Sequence, residues 1–418
     1  GGGLVGLFIL VVVALGVLRV CPPGLGFLPW CTAPVVNIPI ATATTQAVAQ
    51  APTQPVIVVL TSQATLPPTE APTDVPTVEV PATLEPSPSP EPAGPQAVGG
   101  ADKVAFIAGN EVWLMNIDGS DMRALTSDQA PKKRLQWIPG TNKLVFVSGT
   151  NVNIVDADTL VFDNIMAFPF AKSLDEFRIS PDGKQVALSL NREMYVVPFD
   201  LATLKTVRGR DGLIAMKGCL NHAGQTPTAI LLKEFRWSKD SKLVSWLFTG
   251  VDGAAGSAKQ ADMVRIYDIS SCDPKKLGNP KDEFPGNRFT PEGYGSKPTI
   301  PSFDWDGTSF FLMNTLDRND GWGFLYSYTS ETHRGNLENP ISSSKARCCY
   351  RDARWSPDGN YIFFGFMNKD LSDAPEQFYY IPVSSLSSGG DFKPIPMPEN
   401  FFKNPKEAIQ PALHAVLP

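Results

Sequence analysis

Histidine is scarce in this 418-residue chain: His222, His333 and His414 are the only three, and they are scattered. No His-Glu-x-x-His, Gly-x-Ser-x-Gly or P-loop pattern occurs, so the familiar metalloprotease, serine-hydrolase and nucleotide-hydrolysing motifs are excluded. Paired histidines and Cys-x-x-Cys spacing are also missing, which argues against a metal site. Basic charge is in short supply. Lys and Arg total 36 against 42 Asp and Glu, a formal net charge of −6, whereas binding nucleic acid requires a basic surface that replaces phosphate counterions. These absences predict a chain that is not an enzyme, holds no cofactor and has no nucleic-acid partner.

What is present is unevenly spread. Residues Gly1 to Leu18, GGGLVGLFILVVVALGVL, carry no charge, and Arg19 closes the run. At about 1.5 Å per helical residue, such a run covers roughly 27 Å, close to a bilayer's hydrocarbon core. Residues 1–20 are therefore expected to be a single-pass membrane anchor. The alternatives are a cleaved secretory signal, whose apolar region is normally shorter, and lipidation at Cys21, for which Arg19 and Val20 are poor neighbours. Cys21 and Cys31 bracket a short juxtamembrane loop, 21–31. Residues 32–100 hold PPTEAPTDVPTVEVP and PSPSPEPAGP. Proline fixes φ and removes backbone donors, so this tract reads as a disordered, extended Pro/Thr-rich stalk. Val56-Ile57-Val58-Val59-Leu60 is an apolar island within it, either a weak local cluster or a docking strand.

Residues 101–418 change character. Short runs rich in Val, Ile, Phe, Tyr and Leu alternate with Gly, Pro, Asn and Asp turns, and no long stretch has helical period. That pattern predicts an all-β domain. Within it one unit recurs: RLQWIPGTNKLVFVS at 134–148, EFRISPDGKQVALSL at 176–190, EFRWSKDSKLVSWLF at 234–248, SFDWDGTSFFLM at 302–313 and DARWSPDGNYIFFGF at 352–366. Each is a short strand ending at a bulky anchor (Trp137, Ile179, Trp237, Trp305 or Trp355), then a tight polar turn, then an apolar strand. In the turn Pro presets φ, Asp bonds nearby amides and Gly tolerates positive φ. The anchor before it can wedge between neighbouring sheets. One unit alone cannot bury both faces of its sheet, so units must stack radially.

The pattern resembles the TolB-like β-propeller repeat, whose consensus is a Trp-Ser-Pro-Asp-Gly turn followed by an apolar strand. Trp355-Ser356-Pro357-Asp358-Gly359 matches fully, and Ser180-Pro181-Asp182-Gly183 matches behind Ile179. The other copies are degenerate: Trp237-Ser238-Lys239-Asp240-Ser241 lacks Pro and Gly, and Trp305-Asp306-Gly307 is shortened. The resemblance covers about three quarters of the chain and implies a propeller; six units in about 318 residues, about 53 per blade, favour six blades, with seven possible because the gaps at 208–233 and 278–301 are long. A sixth copy, 103–126, has no opening strand. Ile409 to Val416 is expected to supply it and so close the ring, removing two exposed edges. Members of that family are soluble periplasmic partners of bacterial envelope proteins; the anchor and stalk here depart from them.

Six cysteines follow the anchor segment. An even count outside the membrane is compatible with disulfides, with 15 connectivities open. Cys21 with Cys31 and Cys219 with Cys272 are plausible pairs, whereas a bond between the adjacent Cys348 and Cys349 would be strained; free thiols are the other reading. Asn116-Ile117-Asp118-Gly119-Ser120-Asp121 looks superficially like a calcium loop but has no Glu at the twelfth position, and reads as a hairpin turn. Two loops are candidate binding sites: Gly250 to Asp262, and Leu316 to Gly323, where Asp317, Arg318, Asn319, Asp320 and Trp322 would set charges beside an exposed aromatic. The ordinary reading of both is a variable hairpin loop. The expected function is that of a membrane-anchored extracytoplasmic scaffold that binds a protein or glycan. One alternative is the sensory ectodomain of a receptor whose cytoplasmic part precedes Gly1. The other is a propeller hydrolase or lyase, which would need carboxylates and histidines clustered on one face.

Overall fold

The computed structural model describes residues 96–418 except 224–230, 253–258, 274–279, 286–287, 290, 292–298, 317–319, 342–347, 369–373, 405 and 417–418. The anchor segment, the loop bearing Cys21 and Cys31, and the stalk up to residue 95 lie outside the described residues. Among the described residues no helix is long and apolar enough to cross a membrane.

The chain builds antiparallel sheets one after another. The first holds β1 (Ala101–Ala108), β2 (Glu111–Asn116) and β3 (Arg123–Ala124). The second is β4 (Lys133–Trp137), β5 (Lys143–Ser148), β6 (Asn151–Asp156) and β7 (Phe162–Ala167). The third is β8 (Leu174–Ile179), β9 (Gln185–Leu190), β10 (Glu193–Pro198) and, after the short helices α1 (Leu201–Leu204) and α2 (Arg210–Ala215), β11 (Leu220–Ala223). The fourth is β12 (Leu231–Trp237), β13 (Leu243–Asp252), β14 (Lys259–Asp268) and β15 (Asp282–Phe284). A seven-stranded sheet follows, with β16 (Ser302–Trp305), β17 (Phe310–Leu316), β18 (Gly323–Thr329), β19 (Arg334–Glu338), β20 (Tyr350–Trp355), β21 (Tyr361–Phe366) and β22 (Gln377–Pro382). Its two meanders, β16 to β19 and β20 to β22, are joined at the single pair Gly323↔Tyr350. Finally β23 (Ala412–Ala415) returns to pair with β1, Val104 opposite Leu413 and Ala105 opposite Ala412. The C-terminal stretch thus supplies the strand missing from the first repeat. The two long gaps hold α2, β11 and β15 and no further sheet among the described residues.

The turns explain why the repeat has its spelling. Ser180 Oγ donates to Asp182 Oδ1 (2.6 Å) and accepts from the Gln185 amide (3.0 Å), while Asp182 Oδ1 accepts from the Lys184 amide (3.1 Å). The same three bonds recur at Ser238, Asp240, Lys242 and Leu243, and again at Ser356, Asp358, Asn360 and Tyr361. A serine and an aspartate two residues on thus replace the amide partners that a tight bend cannot supply from backbone. The residue after the aspartate is left-handed: Gly183 at φ +67°, Gly359 at φ +81°, but Ser241 at φ +58°. A side chain costs roughly 1–2 kcal/mol in that region, partly offset by the greater unfolded-state freedom of glycine, about 0.5–1 kcal/mol. Ser241→Gly is therefore expected to raise the melting temperature by up to about 2 °C. A calorimetric scan showing a lowered midpoint would refute this account of the turn.

Packing between sheets runs in a circle. Ala105, Leu114 and Leu125 pack with Leu144 and Phe146; Ile165 and Met166 with Phe177 and Val186; Ala187 and Val196 with Phe235 and Val244. Val264 and Phe284 pack with Phe303 and Phe311, and Leu312 and Leu325 with Tyr350 and Phe364. Phe363 and Phe378 then pack against Val104 and Phe106 of the first sheet. Each fully buried Phe contributes about 1.5–3 kcal/mol, so every sheet draws part of its stability from both neighbours. The anchors sit at these boundaries. Trp137 Nε1 donates to Ala412 O and Trp237 Nε1 to Arg178 O, both at 2.9 Å and both on the preceding sheet. Ile179, Trp237 and Trp305 are buried, and Trp137 and Trp355 half-buried.

Cys219 and Cys272 form a disulfide, as expected. Cys348 and Cys349 are also bonded to each other, across a cis peptide, contrary to the sequence expectation. Both are buried beside Trp322 and Phe324 rather than free.

Candidate functional site

The first strands of successive sheets meet in turn: β23 with β4, β4 with β8, β8 with β12, β12 with β16, β16 with β20. In each repeat the residues three before and one before the anchor are polar: Arg134 and Gln136, Glu176 and Arg178, Glu234 and Arg236, Ser302 and Asp304, Asp352 and Arg354. A strand's period of two puts both on one face, so the fold gathers them at the hub. Sequence reasoning missed this cluster. Its signal was present in the repeated Glu-Phe-Arg and Asp-Ala-Arg before the anchor, but a pattern within one strand does not report that the strands converge.

These groups stitch each inner strand to the next. Gln410 Oε1 accepts from the Arg134 amide (2.6 Å), Gln136 Oε1 from the Ile179 amide (2.9 Å), and Glu176 Oε2 from the Phe235 amide (2.8 Å). Arg236 Nε donates to Asp304 Oδ1 (2.6 Å), Asp304 Oδ2 accepts from the Trp355 amide (2.9 Å), and Asp352 Oδ2 from the Ile409 amide (3.1 Å). The belt closes on the segment leading into β23. Glu234 lies among Arg236, Arg354 (3.5 Å) and Arg178 (3.9 Å). Burial alone would raise its carboxyl, but the surrounding guanidiniums, Arg236 foremost, hold it down to about 2. Arg178 is pulled down to about 10, by burial first and then by Arg236, and stays charged at neutral pH.

One end of the hub, beside the repeat turns, opens into a cavity of about 390 Å³. Its walls include Trp137, Pro181, Trp355, Pro357 and the β23 residues Ala412 to Ala415, and its charged lining is Arg178, Arg236, Arg354 and Asp304 with His414. His414 Nδ1 lies 2.7 Å from Asp102 Oδ1. A second cavity, of about 220 Å³, is lined by Ser302, Asp320, Arg351, Asp352 and Lys406. Nearby Glu376 faces Arg351 at 3.7 Å, and burial pushes its carboxyl up to about 8 against the pull of that arginine.

The binding loops proposed from sequence fare differently. Asp317, Arg318 and Asn319 lie outside the described residues. Trp322 is not the exposed contact expected of it: it is fully buried, with the Arg351 guanidinium 4.8 Å from its ring centroid, and Asp320 is buried too. In the other loop, 253–258 lie outside the described residues. Asp262 at its end is structural, its carboxylate accepting from Thr249 Oγ1 (2.6 Å) and the Ile300 amide (2.7 Å) and pairing with Lys233. The Asn116–Ser120 segment is a hairpin turn, closed by the Gly119 amide on Asn116 O at 2.9 Å. Among the described residues no His, Cys, Asp and Glu cluster could hold a metal.

No protein-family model matches the chain, and no curated protein matches it. Solved structures do. It is similar to TolB from Acinetobacter baumannii at 16% identity and TM-score 0.46, over 74% of this chain and 66% of that one. The chain thus spans just under two thirds of that structure's length. It is also similar to a putative TolB from Agrobacterium tumefaciens at 15% identity and TM-score 0.41, over 71% and 88%. A third likeness is to the tricorn protease, at 13% identity and TM-score 0.41, over 72% and 33%. Repeated turns, sheets packed in a circle and a belt of inner strands together make the described residues a β-propeller.

Proposed function

We propose that this chain is a non-catalytic binding scaffold that takes a protein or glycan ligand at the turn-side mouth of its hub. The two meanders of the seven-stranded sheet count as separate blades in this reading, giving six. Residues 1–20 tether the propeller to a membrane and the Pro/Thr-rich stalk holds it away on the extracytoplasmic side. The carrying observation is how the hub's acids are engaged: Glu234 and Asp304 pair with Arg236, and Glu176, Asp304 and Asp352 accept backbone amides. A general acid or base needs a carboxyl left accessible to substrate, and these carboxylates are committed to the frame. Beside them lies an open cavity of a size that suits recognition.

Ala415 is exposed on the cavity rim, and Phe170, 93% exposed, serves as a distant control. A photo-crosslinking residue at position 415 of the full chain, in its source membrane, is expected to yield a discrete adduct that position 170 does not. Equal labelling at both positions, or labelling at 170 alone, would remove the hub mouth as the binding site.

A further inference from the structure

The cavity at the hub mouth is unbalanced in charge. Three guanidiniums line it (Arg178, Arg236 and Arg354) against one carboxylate, Asp304. That carboxylate is fully used, Oδ1 by Arg236 and Oδ2 by the Trp355 amide. Arg236 is well served, bonding Asp304, Glu234 and two carbonyls, Phe235 O and Phe303 O. Arg178 is not. Its Nε has no hydrogen-bond partner among the described residues. The carboxylates beside it, Glu176 and Glu234, stand off at 3.6 and 3.9 Å, beyond hydrogen-bond range. Arg354 is intermediate: Nη1 donates to Ala353 O (2.9 Å) and Phe303 O (3.3 Å), while Nη2 is 3.5 and 3.7 Å from Glu234 and Asp352. A guanidinium carries five donors in a rigid fork suited to bidentate carboxylate. Arg178 Nε is sealed from the cavity, but the terminal nitrogens are not among the sealed atoms; a desolvated guanidinium short of partners is costly, so their place on a cavity wall is an argument for a ligand that engages them.

Resting on the binding reading above, we propose that the ligand presents a carboxylate to this mouth, received by Arg178 with Arg354 alongside. The half-buried Trp355 and the prolines Pro181 and Pro357 supply the apolar walls around that charge. The carboxylate belongs either to a small organic acid or to an acidic side chain of a peptide; the chemistry at Arg178 is the same.

Titration calorimetry on the full chain distinguishes the sources, using succinate and an end-blocked tetraglutamate peptide, with succinamide and the tetraglutamine peptide as neutral controls. One of the two acids is expected to bind and its amide control not to. Arg178→Met is expected to weaken that binding by about tenfold or more, the worth of a lost charge-assisted pair. Arg178→Lys keeps the charge but loses the fork, and should fall between; it carries the test if the Met variant does not melt cooperatively. Equal binding of acid and amide, undiminished binding by both variants, or no binding of either acid by the unaltered chain would overturn the proposal. The crosslink at position 415 separates the two ideas. An adduct that persists in Arg178→Met means that the mouth binds but not through an anion, whereas no adduct in the unaltered chain removes the scaffold reading itself.

Discussion

A chain ending at Asn404 is expected to melt more than about 10 °C below the full-length protein. The loss is large because the last residues serve the first sheet, the second sheet and the hub at once. Without β23, β1 becomes an open edge along the Val104–Leu413 and Ala105–Ala412 register, and the Ile107 amide loses Ile409 O (2.7 Å). Trp137 Nε1 loses its acceptor Ala412 O, and Asp102 loses His414. The Gly109 and Asn110 amides lose the Glu407 carboxylate (2.7 and 2.6 Å), and the Arg134 amide loses Gln410. Ile409 and Leu413 leave the cluster around Phe106 and Phe378. The Gly109 and Asn110 amides are exposed and regain water, but the Trp137, Arg134 and Asp102 groups are partly buried, and an orphaned polar group costs up to about 1–3 kcal/mol where it is cut off from water; the apolar loss adds to this. Calorimetry on the truncated and full chains decides the matter; midpoints within a degree or two would mean that the ring does not depend on its closing strand.

Arg236→Met is the second large effect, a destabilisation of about 3–5 kcal/mol. The side chain is about the right length, so packing is largely kept. What is lost is the cation between two buried acids, Glu234 and Asp304. Glu234 would fall back on Arg354 and Arg178 at 3.5 and 3.9 Å, and Asp304 on the Trp355 amide alone, and buried charge left short of its partner is the costly state. Adding Glu234→Gln to Arg236→Met is expected to recover part of the loss, since the two residues interact directly. Acid provides an independent check. The Glu234 carboxyl is held at about 2 in the fold against an ordinary 4.5. Its contribution is therefore fully present above about pH 4.5 and disappears as pH falls toward 2. The unaltered chain should lose stability across that window, and Arg236→Met should show a shallower fall. Denaturant unfolding at several pH values measures both; a variant as stable as the parent at neutral pH would sink this account of the hub.

Much of the fold was legible because its signals are local. A bulky anchor, a serine and aspartate two apart and a left-handed residue dictate the same turn wherever they occur, as the matching bonds at Ser180, Ser238 and Ser356 show. The closing strand was legible from a deficit, a first repeat with no opening strand. The site was less so. LDRNDGWG looks like a polar loop, yet Trp322 is covered by Arg351, which the sequence places in another repeat. Exposure of one aromatic depends on a distant partner, and no local pattern reports it. The hub charges failed for the opposite reason: the alternation before each anchor was visible, but only the convergence of the first strands makes ten scattered residues into one cluster.

The Val416 amide donates to Gly100 O at 3.0 Å, and Gly99 O accepts from the Asp358 amide at 3.2 Å. Entry and exit of the barrel-like circle therefore lie side by side. Tension applied to the leading end is transmitted first into β1 and its partner β23, the same hydrogen bonds that lock the circle. Mechanical rupture and thermal opening then share one fault line, the β1–β23 pairing of the first sheet.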